Sequence, residues 1–145
     1  MSLFAALDVS ATGMAAQRMR VELLVQNIAN SETTRTPEGG PYRRRDAIFV
    51  SEPAPAPFRT LLSGLMGQPL TGVSVAEITV DEGEPERRYV PGHPDADAEG
   101  YVAFPRLNPI EDMVDLTSSV RGYQANLAAM GAVKEMIQRS IDLLR

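Results

Sequence analysis

Apolar residues recur every three or four positions through residues 1–30. From Leu3 onward the steps alternate four and three residues, the spacing that keeps side chains on one face of an α-helix. Alanines, which favour helix, are frequent, and residues 3–29 contain no proline. The pattern predicts one long helix with an apolar face. The positions on that face are Leu3, Leu7, Ser10, Met14, Gln17, Val21, Leu24 and Ile28. Further apolar residues lie off this face, so we expect the helix to have neighbours on more than one side.

The same alternation returns in residues 108–145 and predicts a second long helix. Its start is well marked. Asn108 is a preferred N-cap, Pro109 suits the first helical position, and Glu111 and Asp112 complement the helix dipole. The positions that follow the alternation are Val120, Tyr123, Leu127, Met130, Lys134, Ile137, Ile141 and Leu144.

Residues 31–107 have a different character, with turn residues and short stretches of alternating apolar and β-branched side chains. The stretches that read as strands are 46–50, 72–80, 87–90 and 101–104. Residues 51–71 begin with alternating prolines and form a longer connector, with a possible helical turn at 58–66. The predicted fold class is mainly α with a small β module of three or four short strands. The long N- and C-terminal helices pack side by side in a coiled-coil-like manner.

Charge and composition narrow the classes of function. The formal net charge is −5, and residues 77–99 hold eight acids against two arginines, so we expect no nucleic-acid partner. The arginines of 43–45 are expected to form a solvated or subunit-bridging patch. No stretch approaches eighteen apolar residues and the first residues lack a basic segment, so we expect neither membrane insertion nor a cleaved signal peptide.

Candidate chemistry is sparse. The single histidine, His93, lies in a glycine- and proline-flanked turn, and the chain has no cysteine. Residues 95–100 match the first half of a calcium-binding loop, but Arg106 stands where that loop needs a bidentate glutamate. We therefore expect no catalytic, metal or cofactor site, and no enzyme.

Two stretches carry a family resemblance. Residues 10–45 contain the segment Asn27-Ile28-Ala29-Asn30 near the end of the first helix. Residues 93–126 contain Gly100-Tyr101-Val102, and the segment Arg121-Gly122-Tyr123-Gln124-Ala125-Asn126 in the second helix. Together these segments resemble the flagellar basal-body rod protein family.

The resemblance implies a structural subunit of the proximal rod that polymerises into a helical drive shaft and transmits torque across the periplasm. The implied partners are copies of the chain itself, other rod proteins and, during secretion, the flagellar type III export apparatus. It also implies that residues 1–30 and 108–145 are rod-core helices and that residues 31–107 form an outer module. A different secreted filament or scaffold subunit, of the adhesin or needle type, would share the helices but not these segments.

The pattern and the resemblance together predict an assembly interface on the two helices. Gln124 and Asn126 are expected either to form hydrogen bonds between helices or to lie on a solvated face. The predicted interface comprises Leu3, Leu7, Met14, Val21, Leu24, Asn27, Ile28, Asn30, Val120, Tyr123, Gln124, Asn126, Leu127, Met130, Ile137, Ile141 and Leu144.

Overall fold

Two long helices enclose four short strands in chain order. The computed structural model of the chain describes residues 3–53 and 71–143. The elements are α1 (Leu3–Ala29), β1 (Arg45–Pro53), β2 (Thr71–Val80), β3 (Glu86–Tyr89), β4 (Tyr101–Phe104) and α2 (Pro109–Asp142). The predicted fold class, with helices at both ends and a small β module between them, is confirmed. Leu144 and the predicted turn at 58–66 lie outside the described residues.

The helices α1 and α2 pack against each other in antiparallel directions. Gly13 lies opposite Asn126, and Gly122 lies opposite Gln17, so the residue numbers of facing positions rise in one helix as they fall in the other. Extrapolated along this register, Leu3 lies near the level of residue 136, and the end of α2 extends past the first described residue of α1. The side chain of Asn108 accepts a hydrogen bond from the N–H of Ile110, which confirms the predicted N-cap.

The strands form two separate antiparallel pairs rather than one sheet. β1 pairs with β2 from Arg45 opposite Val80 to Pro53 opposite Thr71, with a bulge after Ile48 that places one extra residue in β2. β3 pairs with β4 in a shorter hairpin. Residues 51–53, expected in the connector, instead continue β1, because each of them has a partner in the first residues of β2.

The β1–β2 pair, called the ribbon below, lies against α1. The guanidinium of Arg20 stands 4.7 Å from the ring centre of Phe49, and the N–H of Val73 donates to the hydroxyl of Thr12 at 3.2 Å. α1 therefore contacts both α2 and the ribbon, as expected for a helix that is apolar beyond one face.

The hydrophobic core of the described residues is small. Its buried apolar side chains are Ala16, Leu23, Leu24, Val102 and Val133. A core of this size leaves many large apolar side chains at the surface, and α2 carries more of them than any other element. Neither described helix is long and apolar enough to span a membrane.

Candidate assembly surfaces

The apolar face predicted for α1 is turned toward the rest of the chain. All eight of its positions are at least partly shielded, and Leu24 is only 4% exposed. These positions therefore form a packing face within the single chain, and their place in an assembly interface stays a prediction. Its interface members Leu3, Leu7, Met14, Val21 and Ile28 are half-buried, and Asn30 bonds through its Nδ2 to the carbonyl of Gln26 in its own helix.

The face predicted for α2 is rotated away from the one that packs on α1. Val120, Tyr123, Leu127 and Ile141 are exposed, whereas Met130 and Ile137 are half-buried. Beyond Pro109 at the start of α2, eight positions are shielded: Asp112, Leu116, Ser119, Gly122, Asn126, Met130, Val133 and Ile137. Lys134 is exposed as well, so five of the predicted positions do not pack on α1 within the single chain, and the place of the α2 residues in an assembly interface stays a prediction.

The residues of α2 that meet α1 explain why the predicted face and the packing face differ. Four of the eight shielded positions of α2 are polar or glycine, so they carry little hydrophobic signal. The flank that the alternation follows is more apolar than the face that packs. Periodicity finds the most apolar stripe, and in α2 that stripe faces solvent.

An exposed flank of α2, called the α2 stripe below, shares Val120, Leu127 and Ile141 with the predicted face and begins closer to the start of the helix. It carries Ile110, Met113, Val120, Leu127 and Ile141, which keep alternating steps of three and four with polar or glycine positions between them. Ile110 is 72% exposed and Leu127 is 54% exposed. At its start the stripe borders an open groove of about 420 Å³, lined by Ile110, Met113, Val114, Thr117, Ser118 and Arg121. Exposed apolar side chains that recur at this spacing make the stripe a candidate interaction site.

A second exposed stripe runs along α1, about 100° around the helix axis from its packing face, because each of its residues directly follows a packing-face position. Phe4 is 69% exposed at one end and Val25 is exposed near the other. The stripe, called the α1 outer face below, consists of Phe4, Asp8, Ala11, Ala15, Arg18, Glu22, Val25 and Ala29, all exposed and again in steps of four and three. Its alanines leave room for another helix to approach closely, because interaxial distance depends on side-chain size.

Small residues bring α1 and α2 close together. A Cβ placed on Gly13 would lie 3.1 Å from Nδ2 of Asn126, and one placed on Gly122 would lie 3.3 Å from the side chain of Gln17. Asn126 follows neither expectation: it is half-buried, and its amide donates to the carbonyl of Gly122 in its own helix. Gln124 lies on the exposed side.

The end of α1 is fastened to the start of β1 by Asn27, which is 0% exposed. Its Oδ1 accepts from the backbone N–H of Arg45 at 3.0 Å and from the hydroxyl of Tyr42 at 2.9 Å. Its Nδ2 donates to the carbonyl of Arg45 at 3.0 Å. Asn27 therefore has no surface available to another subunit in this conformation, in contrast to its expected place in the interface. Burial also raises the pKa of Tyr42.

A buried ion pair lies beside this network. Nη2 of Arg44 is 3.1 Å from Oδ1 of Asp112, a side chain with no exposed surface. The contact lacks hydrogen-bond alignment, so neither carboxylate oxygen has a hydrogen-bond partner among the described residues. Burial raises the pKa of Asp112 above its ordinary value of 3.8, and the charge of Arg44 only partly opposes this. Asp112 is thus more than a dipole partner.

Arg44 also departs from the solvated patch expected for the arginine run. Its Nε donates to Asp46 at 2.8 Å, and three-quarters of its side chain is shielded. Burial by itself lowers the pKa of Arg44, but Asp46 and Asp112 outweigh it and raise the value. Arg43 and Arg45, in contrast, are exposed. The sequence held no periodic signal for the pair of Arg44 and Asp112, because Arg44 lies in the loop before β1 and Asp112 lies on α2.

The acidic turn before β4 uses its carboxylates within the chain. Asp95 accepts from the hydroxyl of Thr34 at 2.8 Å, and Asp97 accepts from the backbone N–H groups of Glu99 and Tyr101. Nδ1 of His93 accepts from the N–H of Asp95, so the histidine is a turn residue. Residues 3–53 and 71–143 contain no group of three or more potential metal ligands.

The geometry therefore defines a structural protein of two antiparallel helices with unpaired apolar faces and a buried joint to a β ribbon. Comparison with known proteins agrees. Residues 98–143 match the family model described as the flagellar basal body rod FlgEFG protein C-terminal. The chain belongs to the flagellar basal-body rod proteins, a structural family that is not known to be enzymatic.

Full-length relatives specify the family further. The chain is similar to the flagellar basal-body rod protein FlgC of Borreliella burgdorferi, at 40% identity over 100% of this chain and 99% of that protein. It is 39% identical to FlgC of Bacillus subtilis, over 99% of each chain. It is 33% identical to FlgC of Salmonella typhimurium, over 99% of this chain and 98% of that protein. The family places it as a structural rod subunit of the flagellar basal body that assembles with other rod proteins.

Proposed function

We propose that the chain polymerises with copies of itself and with other rod proteins through the α2 stripe and the α1 outer face. The observation that carries this is the α2 stripe, whose apolar residues continue a heptad spacing along a helix and are exposed in the described chain. Heptad spacing is the pattern by which one helix recognises another, so the chemistry favours a helix as the occupant.

The two surfaces differ from each other, which bears on the form of the assembly. The α1 outer face is rich in alanine and carries Asp8, Arg18 and Glu22, whereas the α2 stripe has five large apolar residues. Contacts between unlike surfaces are heterologous and generate open helical assemblies unless the rotation happens to close a ring. This supports a helical shaft in which residues 1–30 and 108–145 form the core and residues 31–107 lie outside.

The exposed members of the predicted interface belong to this proposal: Val120, Tyr123, Gln124, Leu127 and Ile141. Interfaces between close-packed helices have low compressibility, so a shaft built from them transmits torque across the periplasm with little loss. The proposed route to the rod is the flagellar type III export apparatus, which does not require a cleaved signal peptide.

Leu127→Asp tests the proposal. Because Leu127 is more than half exposed in the single chain, the substitution leaves the fold of the free subunit intact. A charge placed in an apolar helix interface must be desolvated without a partner, so rod assembly fails. We expect far-ultraviolet circular dichroism of the purified variant to match that of the unsubstituted chain, with loss of swimming and of the protein from isolated basal bodies.

Ala132→Asp is the matched control, because it adds the same charge at an exposed position of the same helix outside the α2 stripe. His93→Ala is a second control in a turn remote from both surfaces. Both are expected to swim. Normal swimming with Leu127→Asp, or equal loss with Ala132→Asp, would refute the assignment of the interface to the α2 stripe.

A further inference from the structure

We infer that Asn27 is the positioning residue that sets the direction in which the ribbon leaves the helix pair, by standing in for a neighbouring β-strand at Arg45. This assigns the side chain an intramolecular role in the rod subunit. The inference concerns a single chain and holds whether or not the α2 stripe is the assembly interface.

The hydrogen-bond pattern of β1 explains why a partner is needed there. In an antiparallel pair, successive residues point their N–H and C=O groups to alternate sides. The carbonyl of Arg44 points toward β2 and accepts from the N–H of Asp81 at 2.8 Å. The N–H and C=O of Arg45 point to the other side, where none of the four described strands pairs with β1.

The carboxamide of Asn27 occupies that free edge. It accepts from the N–H of Arg45 and donates to its C=O, both at 3.0 Å, which is the pair of bonds that an antiparallel strand residue would exchange. A third bond, from the hydroxyl of Tyr42, holds the same oxygen from the loop that precedes β1. The side chain of Asn27 on α1 is thus bonded both to the loop before β1 and to β1 itself.

The chemistry restricts the residue type. Asp at this position would keep an acceptor for Tyr42 and the N–H of Arg45 but would set a carboxylate against the carbonyl of Arg45. Leu would fill the space and leave three polar groups of the joint without their partner. Only an amide of this length supplies both a donor and an acceptor at the observed spacing.

The second asparagine of the same segment provides a comparison within the chain. Nδ2 of Asn30 donates to the carbonyl of Gln26, and its Oδ1 accepts from the hydroxyl of Thr33. Both bonds join residues at most four positions apart, and neither involves β1 or β2. Asn27 and Asn30 therefore have the same functional group, three residues apart, with different structural consequences.

The chain contains no cysteine, so two introduced cysteines can be spin-labelled without background. Ala15→Cys on the α1 outer face and Glu77→Cys on the ribbon are both exposed. Pulsed electron resonance on the purified full chain then reports the distance between helix and ribbon. Hydrogen exchange of the backbone N–H of Arg45, followed by NMR, reports the joint itself.

In Asn27→Asp the carboxylate still accepts from the N–H of Arg45, but the bond from Nδ2 to the carbonyl of Arg45 is lost and replaced by repulsion. The joint therefore opens more often, and we expect a broadened helix-to-ribbon distance distribution and roughly ten-fold faster exchange of the Arg45 N–H, the scale set by the net loss of that one hydrogen bond. Asn30→Asp should change neither reading. A distribution in Asn27→Asp identical to that of the unsubstituted chain, or equal broadening in Asn30→Asp, overturns the inference.

If Asn27→Asp loses its helical circular dichroism, Tyr42→Phe decides the matter. That variant removes one of the three bonds and leaves the strand-like pair in place. An intermediate acceleration of Arg45 N–H exchange supports the joint, and unchanged exchange overturns it.

Discussion

Replacing Arg44 with methionine removes the cation that faces the fully buried carboxylate of Asp112. Methionine keeps an unbranched chain of similar reach, so the substitution removes charge and hydrogen bonding more than packing. In the variant, the carboxylate of Asp112 still faces the negative charges of Asp46, Asp115 and Glu111, which repel it. We expect a large loss of stability from this single exchange.

The magnitude follows from the geometry. At a separation of 3.1 Å, two unit charges in an effective dielectric of about 20 attract each other by roughly 5 kcal/mol. Desolvation of both ions cancels part of this in the intact pair. Removing only the cation leaves the desolvation cost of the anion uncompensated, which typically costs about 3–5 kcal/mol. Because Arg44 is about one-quarter exposed, we expect about 3 kcal/mol.

Urea unfolding followed by circular dichroism at the helix band measures this loss, since the chain has no tryptophan for fluorescence. A loss of about 3 kcal/mol lowers the melting temperature by about 6–12 °C for a chain of this size. Asp112→Asn is the matched control, because it removes the buried charge while Arg44 keeps Asp46 as its partner. We expect it to change the free energy of unfolding by less than about 1 kcal/mol.

The double variant Arg44→Met with Asp112→Asn closes the cycle. It should recover about 2 kcal/mol relative to Arg44→Met alone, because no unpaired buried charge remains. A loss below about 1 kcal/mol for Arg44→Met, or no recovery in the double variant, would show that Asp112 is not held as a buried anion by Arg44.

Two further predictions concern the same core. Burial raises the pKa of Asp112, so its contribution to stability is fully present below the unfolded value of 3.8 and is lost as pH rises through the folded pKa. The stability of Asp112→Asn relative to the unsubstituted chain should therefore increase from pH 4 toward neutrality. A stability difference that does not change with pH would contradict this prediction. Leu24→Asp should unfold the isolated subunit, at a cost of about 4 kcal/mol or more, because Leu24 is 4% exposed; a folded variant with unchanged urea midpoint would show that the α1 packing face contributes little.

Local rules were sufficient for the elements of this fold. Alternating apolar steps found both helices, Asn108 marked the start of α2, and β-branched stretches found all four described strands. The division into two strand pairs was not accessible, because pairing depends on which segments meet in space. The joint at Asn27 and the pair of Arg44 with Asp112 were missed for the same reason, since each links residues at least fifteen positions apart.

The difference between the predicted face of α2 and the face that packs on α1 has a physical meaning. A helix that packs only within its chain turns its most apolar stripe inward, because that burial supplies most of its stability. α2 instead presents Ser119, Gly122 and Asn126 to α1 and leaves Val120 and Leu127 outside. The face of α2 that packs on α1 has small residues that permit close approach. Its exposed face carries apolar residues whose burial would be stabilising. This distribution of apolar residues supports the proposal that other helices cover the exposed flank of α2 in the assembled rod.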